Sequence, residues 1–230
     1  MAARPLIVAI DGPAGAGKST VSKILARRLN FALVDTGAIY RCVALAARDQ
    51  KIPFDDDDRL GALLDTLIIS FKVEGENNHV FLGARDVSDP IRSPEISLAA
   101  SQVSSRPVVR AGLLELQRRL ALAAKTGAIL EGRDIGTVVF PDADLKFFLH
   151  ADPTIRARRR YEELFQKGNE KTLAAVLKEQ THRDKEDTER EAAPLKAADD
   201  AVLIDSSSMP LSEVVSQLEQ TVRAALAKHA

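Results

Sequence analysis

A run of apolar, largely β-branched residues from Leu6 to Ile10 meets Asp11 and passes straight into Gly12-Pro13-Ala14-Gly15-Ala16-Gly17-Lys18-Ser19. From Lys18 the pattern turns helical, with Val21, Ile24, Leu25 and Leu29 on one face and Lys23, Arg27 and Arg28 off it. A buried strand, a glycine-rich loop and a helix without a spacer are what a phosphate-binding loop requires, and the residues match that motif in full. Its glycines let the backbone curl until successive N–H groups and the helix N-terminus face an anion. Lys18 then neutralises β- and γ-phosphate oxygens, and Ser19 is the expected ligand of a Mg²⁺ ion carried with ATP. Residues Gly12, Pro13, Ala14, Gly15, Ala16, Gly17, Lys18, Ser19 and Thr20 are thus assigned to the nucleotide. Gly15 and Gly17 could also begin a dinucleotide fingerprint, with Asp35 near its acidic position, but Thr20 stands where the third glycine belongs.

Further short strands are expected at Ala32 to Val34, Ala128 to Leu130, Lys146 to Leu149 and Ala201 to Ile204, separated by long helical patterns. The alternation predicts an α/β fold, a parallel five-stranded sheet flanked by helices. The stretch between the second and third strands is too long for a simple crossover and predicts an insertion at about residues 61–104 within a single domain. Part of it, Ile68 to Val73 and His79 to Leu82 around a Gly and Asn cluster, reads as an antiparallel hairpin. Pro107 opens a helix expected to run to about Lys125, with Gly127 as its stop. Residues 153–190 are helical by propensity and crowded with both signs of charge.

Composition narrows the function. Lys and Arg total 32 against 33 Asp and Glu, so the basic excess of a general nucleic-acid binder is missing, and aromatics at 4% with no Trp leave little for stacking bases. The apolar stretches fall far short of the ~20 residues that cross a bilayer. Leu6 to Ile10 is too short for a secretory signal, which predicts a cytoplasmic chain with no membrane or nucleic-acid partner. The single Cys42 excludes an intrachain disulfide and reads as a small buried thiol. The acidic run Asp55 to Asp58 ahead of a helical pattern reads as a solvated loop and N-cap. His182-Arg183-Asp184 spells the start of a protein-kinase catalytic loop, but Thr188 stands where that loop has Asn, so the match is accidental. His79, His150, His182 and His229 have no ligand spacing.

A phosphate loop is compatible with a GTP switch, an ATP-driven motor or a small-molecule kinase. No Asn-Lys-x-Asp base-reading segment is present, and the strand at Ala128 to Leu130 leads into Glu131-Gly132 rather than Asp-Glu, although Glu131 could hold a metal-bound water. A kinase calls for an acceptor site and an arginine-bearing lid, because phosphoryl transfer depends on positioning and on neutralising charge. Arg156, Arg158, Arg159 and Arg160 lie on one expected helix, with Arg156, Arg159 and Arg160 on one side, and Arg183 and Arg190 follow.

Several segments then carry a family likeness. Asp35-Thr36-Gly37-Ala38-Ile39-Tyr40-Arg41, Ser101-Gln102-Val103, Arg110, Glu131-Gly132-Arg133-Asp134-Ile135-Gly136-Thr137-Val138-Val139-Phe140-Pro141, and Arg183 through Asp187 to Arg190 before Ala193-Pro194-Leu195 resemble the bacterial cytidylate kinases. The resemblance runs from Ile7 to about Ser207. It implies transfer of the ATP γ-phosphoryl group to CMP or dCMP, with the insertion binding the monophosphate and residues 153–190 forming a lid. It places Thr36, Arg110 and Asp134 at the cytosine, Ser101, Arg183 and Asp187 at the sugar, and Arg41, Arg133 and Arg190 around the acceptor phosphate. Lys18, Arg133, Arg156, Arg159 and Arg160 are the implied catalytic charges, and Ser19 replaces a Gly found in some members. Chemistry agrees with the base assignment, since a carboxylate accepts from the N4 amine of cytosine and repels the O4 of uracil. A UMP kinase and a nucleotide-gated binding protein are the alternatives, and a monomer is the default.

Overall fold

The computed structural model describes residues 4–74, 77–166 and 168–229. In chain order its elements are β1 (Leu6–Asp11), α1 (Lys18–Leu29), β2 (Ala32–Asp35), α2 (Thr36–Asp49), α3 (Asp57–Thr66), β3 (Ile69–Glu74), β4 (Asn77–Leu82), β5 (Arg85–Asp86), α4 (Pro94–Ser104) and α5 (Pro107–Leu122). After these come β6 (Gly127–Gly132), a π-helical turn (Ile135–Val139), β7 (Leu145–His150), α6 (Pro153–Gln166), α7 (Leu173–Glu189), β8 (Val202–Asp205) and α8 (Leu211–His229). The chain divides into two compact units, Met1–Leu33 with Leu120–Ala230, and Val34–Arg119.

The expected five-stranded sheet is present, in the order β2-β6-β1-β7-β8. β1 pairs in parallel with β6 on one side and β7 on the other, and β7 pairs in parallel with β8. A strand in that central position is covered on both faces, and β1 is accordingly buried along its whole length. Helices α1 and α8 close one face, where Val21, Leu25, Val214, Val215, Leu218 and Val222 join Leu6, Val8 and Ile10 in one core. Asn30 ends α1 in the left-handed conformation (φ 54°) and its N–H bonds the carbonyls of Ala26 and Arg27.

The expected end of α5 differs. That helix stops at Leu122, and Gly127 is the first residue of β6, paired with Leu6. A Cβ at Gly127 would lie 2.4 Å from the ring of Phe31, so the glycine is there for the packing of a strand and not to stop a helix. Ala123, Ala124 and Lys125 favour helix, and a reading by propensity carries on through them.

The second unit is a continuous stretch. Asp35 caps α2 by accepting from the Ala38 amide at 2.8 Å, and α2 buries Ile39, Val43 and Leu45. Helix α4, which packs on α2, contributes Ile96, Ala99, Ala100 and Val103. Cys42 is buried as expected, and burial pushes its thiol up to about 12. Asp56 caps α3 through the Arg59 amide, which bears out the reading of the acidic run. The hairpin pairs Ile69 with Leu82 and Phe71 with Val80, and β5 adds a short third strand. Residues 75 and 76 of the expected turn lie outside the described residues.

Residues 153–190 fold as α6 and α7 around a small separate cluster, Ala157, Leu164 and Val176, with Tyr161, Leu173 and Leu177 against it. His182, Arg183 and Asp184 lie within α7, a helix rather than a catalytic loop. Among the described residues no helix is long and apolar enough to cross a membrane.

Candidate active site

The first unit holds the phosphate loop. Gly17 stands in the left-handed region (φ 91°) as the N-cap of α1, so the chain enters the helix directly from the loop. Lys18 is 7% exposed and donates to the Pro13 carbonyl at 2.8 Å. Burial, and then the positive charge of Arg133, pull its pKa well below the ordinary lysine value, so an anion beside it is strongly favoured. Ser19 Oγ donates to Glu131 Oε2 at 2.7 Å, which joins the expected Mg²⁺ ligand to the end of β6.

In the sequence Asp11 stands only as the end of an apolar run. It is 5% exposed, and its carboxylate accepts from the amides of Ile135 (2.9 Å) and Gly136 (2.8 Å) at the start of the π-helical turn. That turn follows Arg133 and Asp134 directly, so Asp11 fixes the backbone that carries both. The available signal was a carboxylate closing a wholly apolar strand, since a buried acid needs partners. Burial raises its pKa to about 6, against the two amides and with help from the charge of Asp134.

That shift has a sign. A carboxyl with an ordinary value of 3.8 and a folded value of about 6 binds its proton more tightly in the folded chain. Its contribution to stability is greatest below the unfolded value and is lost as pH rises through about 6. The Tm of Asp11→Asn relative to the parent is therefore expected to move in the variant's favour between about pH 4 and pH 7, a change of about 2 to 3 kcal/mol if the whole shift is expressed. A difference independent of pH, read by thermal unfolding across that range, would exclude a titrating Asp11.

Around Asp187 the structure gathers residues the sequence divided between sugar and phosphate. Arg133 Nε donates to its Oδ2 at 2.9 Å and Arg190 bonds its Oδ1 at 3.5 Å. Burial works against the charge of Asp187, but Arg133, Arg183 and Arg190 outweigh it and hold the carboxyl below the ordinary range. Arg183 and Asp187, four apart, share α7 as expected. Asp134 is 6% exposed, directly after Arg133.

The arginines of α6 part company. Arg156 is 4% exposed, with Nε on the Ala151 carbonyl, Nη1 on the Ala14 carbonyl at 2.9 Å, and an ion pair of 2.7 Å to Asp184. Arg159 bonds the carbonyl (2.6 Å) and hydroxyl (3.3 Å) of Ser206, and half-exposed Arg160 pairs with Glu163 at 3.0 Å. Helical spacing put the three on one side, and the surrounding elements decide where each reaches.

The second unit holds the remaining residues. Thr36, at the start of α2, is 3% exposed, and Arg41 on the same helix pairs with Asp35 at 3.2 Å. Arg110 of α5 lies 5.5 Å from the centre of the Tyr40 ring and donates to the Ser104 carbonyl at 3.0 Å. Ser101 stands on α4, which packs on α2. This unit thus carries Thr36 and Arg41 on α2, Ser101 on α4 and Arg110 on α5.

A family model described as cytidylate kinase matches residues 8–224, a span that includes the whole of Val34–Arg119 and every site residue assigned above. The chain belongs to the cytidylate kinase family. It is 51% identical over 223 residues to "Cytidylate kinase" of Geobacter sp. (strain M21), covering 97% of this chain and 95% of that one. It is 51% identical to "Cytidylate kinase" of Geobacter sulfurreducens, covering 96% and 94%, and 48% identical to that of Pelotomaculum thermopropionicum, covering 94% and 96%. The family likeness read from the segments around Thr36, Ser101, Arg133 and Arg183 is borne out over nearly the whole chain. Membership in the cytidylate kinases also excludes the GTP switch and the motor as readings of the phosphate loop.

Proposed function

We propose that the chain transfers the γ-phosphoryl group of ATP to CMP and dCMP, giving CDP and dCDP. The observation that carries this reading is a phosphate loop whose buried Lys18 lies in the field of Arg133, itself bonded to Asp187, in a chain matching the cytidylate kinases from residue 8 to 224. Burial and the charge of Arg133 disfavour the Lys18 ammonium despite Glu131 and Asp11, and donor and acceptor phosphates supply further negative charge there. The acceptor phosphate is ionised near neutral pH and is itself the nucleophile, so no general base is required.

Within this reading Gly12 to Thr20 hold the phosphates of ATP, and Lys18 and Arg133 neutralise the transferring group. Thr36, Arg110 and Asp134 read cytosine, Ser101, Arg183 and Asp187 meet the sugar, and Arg41, Arg133 and Arg190 receive the acceptor phosphate. The planar, permanently charged guanidinium suits that last task better than lysine. Arg156 acts through the loop carbonyl it holds, Arg159 bonds Ser206, and Arg160, which pairs with Glu163, is the lid arginine that turns toward phosphate. The segment 153–190 is the lid, two helices packed around a small apolar cluster of their own. The insertion at about 61–104 belongs to the monophosphate-binding part of the same domain. Oxygen donors suit Mg²⁺, and the Ser19 hydroxyl beside the Glu131 carboxylate meets that need. When bound with ATP the ion neutralises β- and γ-phosphate charge there. The substrates set the chain's work in the cytoplasm, and the reading asks for no second copy.

A coupled ADP-release assay over a panel of monophosphates tests the reading. Turnover with CMP and dCMP well above UMP and AMP is expected. Preference for UMP, or ATP binding without any acceptor, would overturn it.

Asp187 gives a narrower test. Asp187→Ala is expected to raise KM for CMP and dCMP by about tenfold, the scale of one charge-assisted hydrogen bond, while KM for ATP stays within about twofold. An equal loss for ATP would assign the Asp187 and Arg133 pair to the donor.

A further inference from the structure

A loop rich in glycine is soft, because Gly populates positive and negative φ with similar ease. Gly15 (φ 76°) and Gly17 (φ 91°) stand in the region where that freedom is used. An anion cradle works best when its amides are aimed before the anion arrives, so such a loop has to be held from outside. In this protein three of its carbonyls are held by side-chain donors: Pro13 by Lys18, Ala14 by Arg156 and Ala16 by Ser206. Lys18 belongs to the loop itself and Arg156 to the lid helix. Ser206 comes from the segment after β8, and neither the sequence motifs nor the reading above gives it a role.

Its bonds have a definite direction. Ser206 is 4% exposed, and its amide donates to the His150 carbonyl at 2.8 Å. Its hydroxyl oxygen stands 3.0 Å from the Ala16 carbonyl and 3.1 Å from the His150 carbonyl. A hydroxyl has one proton to give, and the His150 carbonyl already receives the Ser206 amide. Arg159 can only donate, and it donates to the Ser206 hydroxyl oxygen at 3.3 Å and to the Ser206 carbonyl at 2.6 Å. The Arg159 bond occupies a lone pair on the hydroxyl oxygen and leaves its proton for Ala16. In a trans peptide the carbonyl of one residue and the N–H of the next point in opposite directions. A restraint on the Ala16 carbonyl is therefore a restraint on the Gly17 amide, which opens α1.

We propose that Ser206, held by Arg159, is a positioning residue for the phosphate loop, fixing the Ala16 carbonyl so that the Gly17 amide is aimed at the phosphates of ATP before they bind. This rests on the reading that the loop holds ATP. It also gives the α6 arginine Arg159 a task that leaves its guanidinium off the substrate.

The test is steady-state kinetics of the full chain with ATP and CMP varied separately, beside calorimetric binding of ADP alone. Ser206→Ala is expected to raise KM for ATP and to weaken ADP binding by about tenfold, the scale of one lost hydrogen bond, with KM for CMP within about twofold. Ser206→Thr, which keeps the hydroxyl, is expected to restore most of the ADP affinity. A role in folding alone would lower Tm and the active fraction without separating the two substrates. Unchanged ADP affinity in Ser206→Ala, equal rises in both KM values, or no recovery with Thr would each overturn the proposal. If the Ala variant does not fold, Ser206→Cys, close in size and a poorer donor, is read by the same ADP affinity. A parent chain that binds ADP but does not phosphorylate CMP would overturn the functional reading, while the ADP affinities would still decide for or against Ser206.

Discussion

Lys18→Ala is expected to lower kcat by about a hundredfold or more at saturating ATP and CMP, with the variant still folded. Lys18 is buried among Arg133, Arg183, Glu131 and Asp11, and burial with the two arginines disfavours its charge until an anion arrives. The phosphates favour the Lys18 charge, and more so as charge develops on the transferring group. Removing the ammonium group removes that term from the transition state, whereas the fold loses only a desolvated amine bonded to the Pro13 carbonyl. Rapid-quench or coupled kinetics beside a thermal melt separate the two effects. Near-normal turnover by a folded variant would take Lys18 out of the chemistry and the phosphate loop with it.

Gly12→Ala is expected to be the most damaging single substitution to stability in the loop. A Cβ at this position would stand 1.9 Å from the carbonyl oxygen of Leu149 in β7, and the backbone there has φ 144°, which side-chain-bearing residues rarely adopt. Neither obstacle is a flexible side chain that could move aside. A loss of at least about 3 kcal/mol follows, on the order of a 10 °C fall in Tm for a chain of this size. Gly17→Ala is the comparison, because nothing lies within 4 Å of its added Cβ and only the left-handed φ of 91° opposes it. It is expected to cost about 1 to 2 kcal/mol in stability. Equal melting of Gly12→Ala and the parent would rule out the close approach of the loop to β7.

What could be read from the sequence was what depends on neighbours in the chain. Leu6 to Ser19 declared itself because strand, loop and helix are contiguous and the motif is fixed by spacing. The hairpin and the Asp56 cap were legible for the same reason. The π-helical turn at Ile135–Val139 was not, because its first amides are satisfied by Asp11, which is near in space but distant along the chain. The same limit applies to α6. Its periodicity gives the side on which Arg156 and Arg159 lie, but their partners, the Ala14 carbonyl and Ser206, come from distant parts of the chain. Gly127 misled because a glycine after a helical run resembles a cap, and the reason for it is the ring of Phe31, between α1 and β2.

The place of β1 between β6 and β7 has a consequence for how the chain is made. Of the five strands of this sheet the middle one is synthesised first, and its partner for Leu6 is Gly127. At ~5–20 residues per second the apolar segment from Leu6 to Ile10 waits on the order of ten seconds before either neighbour is synthesised. During that interval the stretch Val34–Arg119, a continuous unit with a core of its own, emerges complete and can close first. The nascent chain thus carries the unpaired apolar segment Leu6 to Ile10 while the stretch Val34–Arg119 can already fold, and premature association between neighbouring nascent chains would begin at that segment.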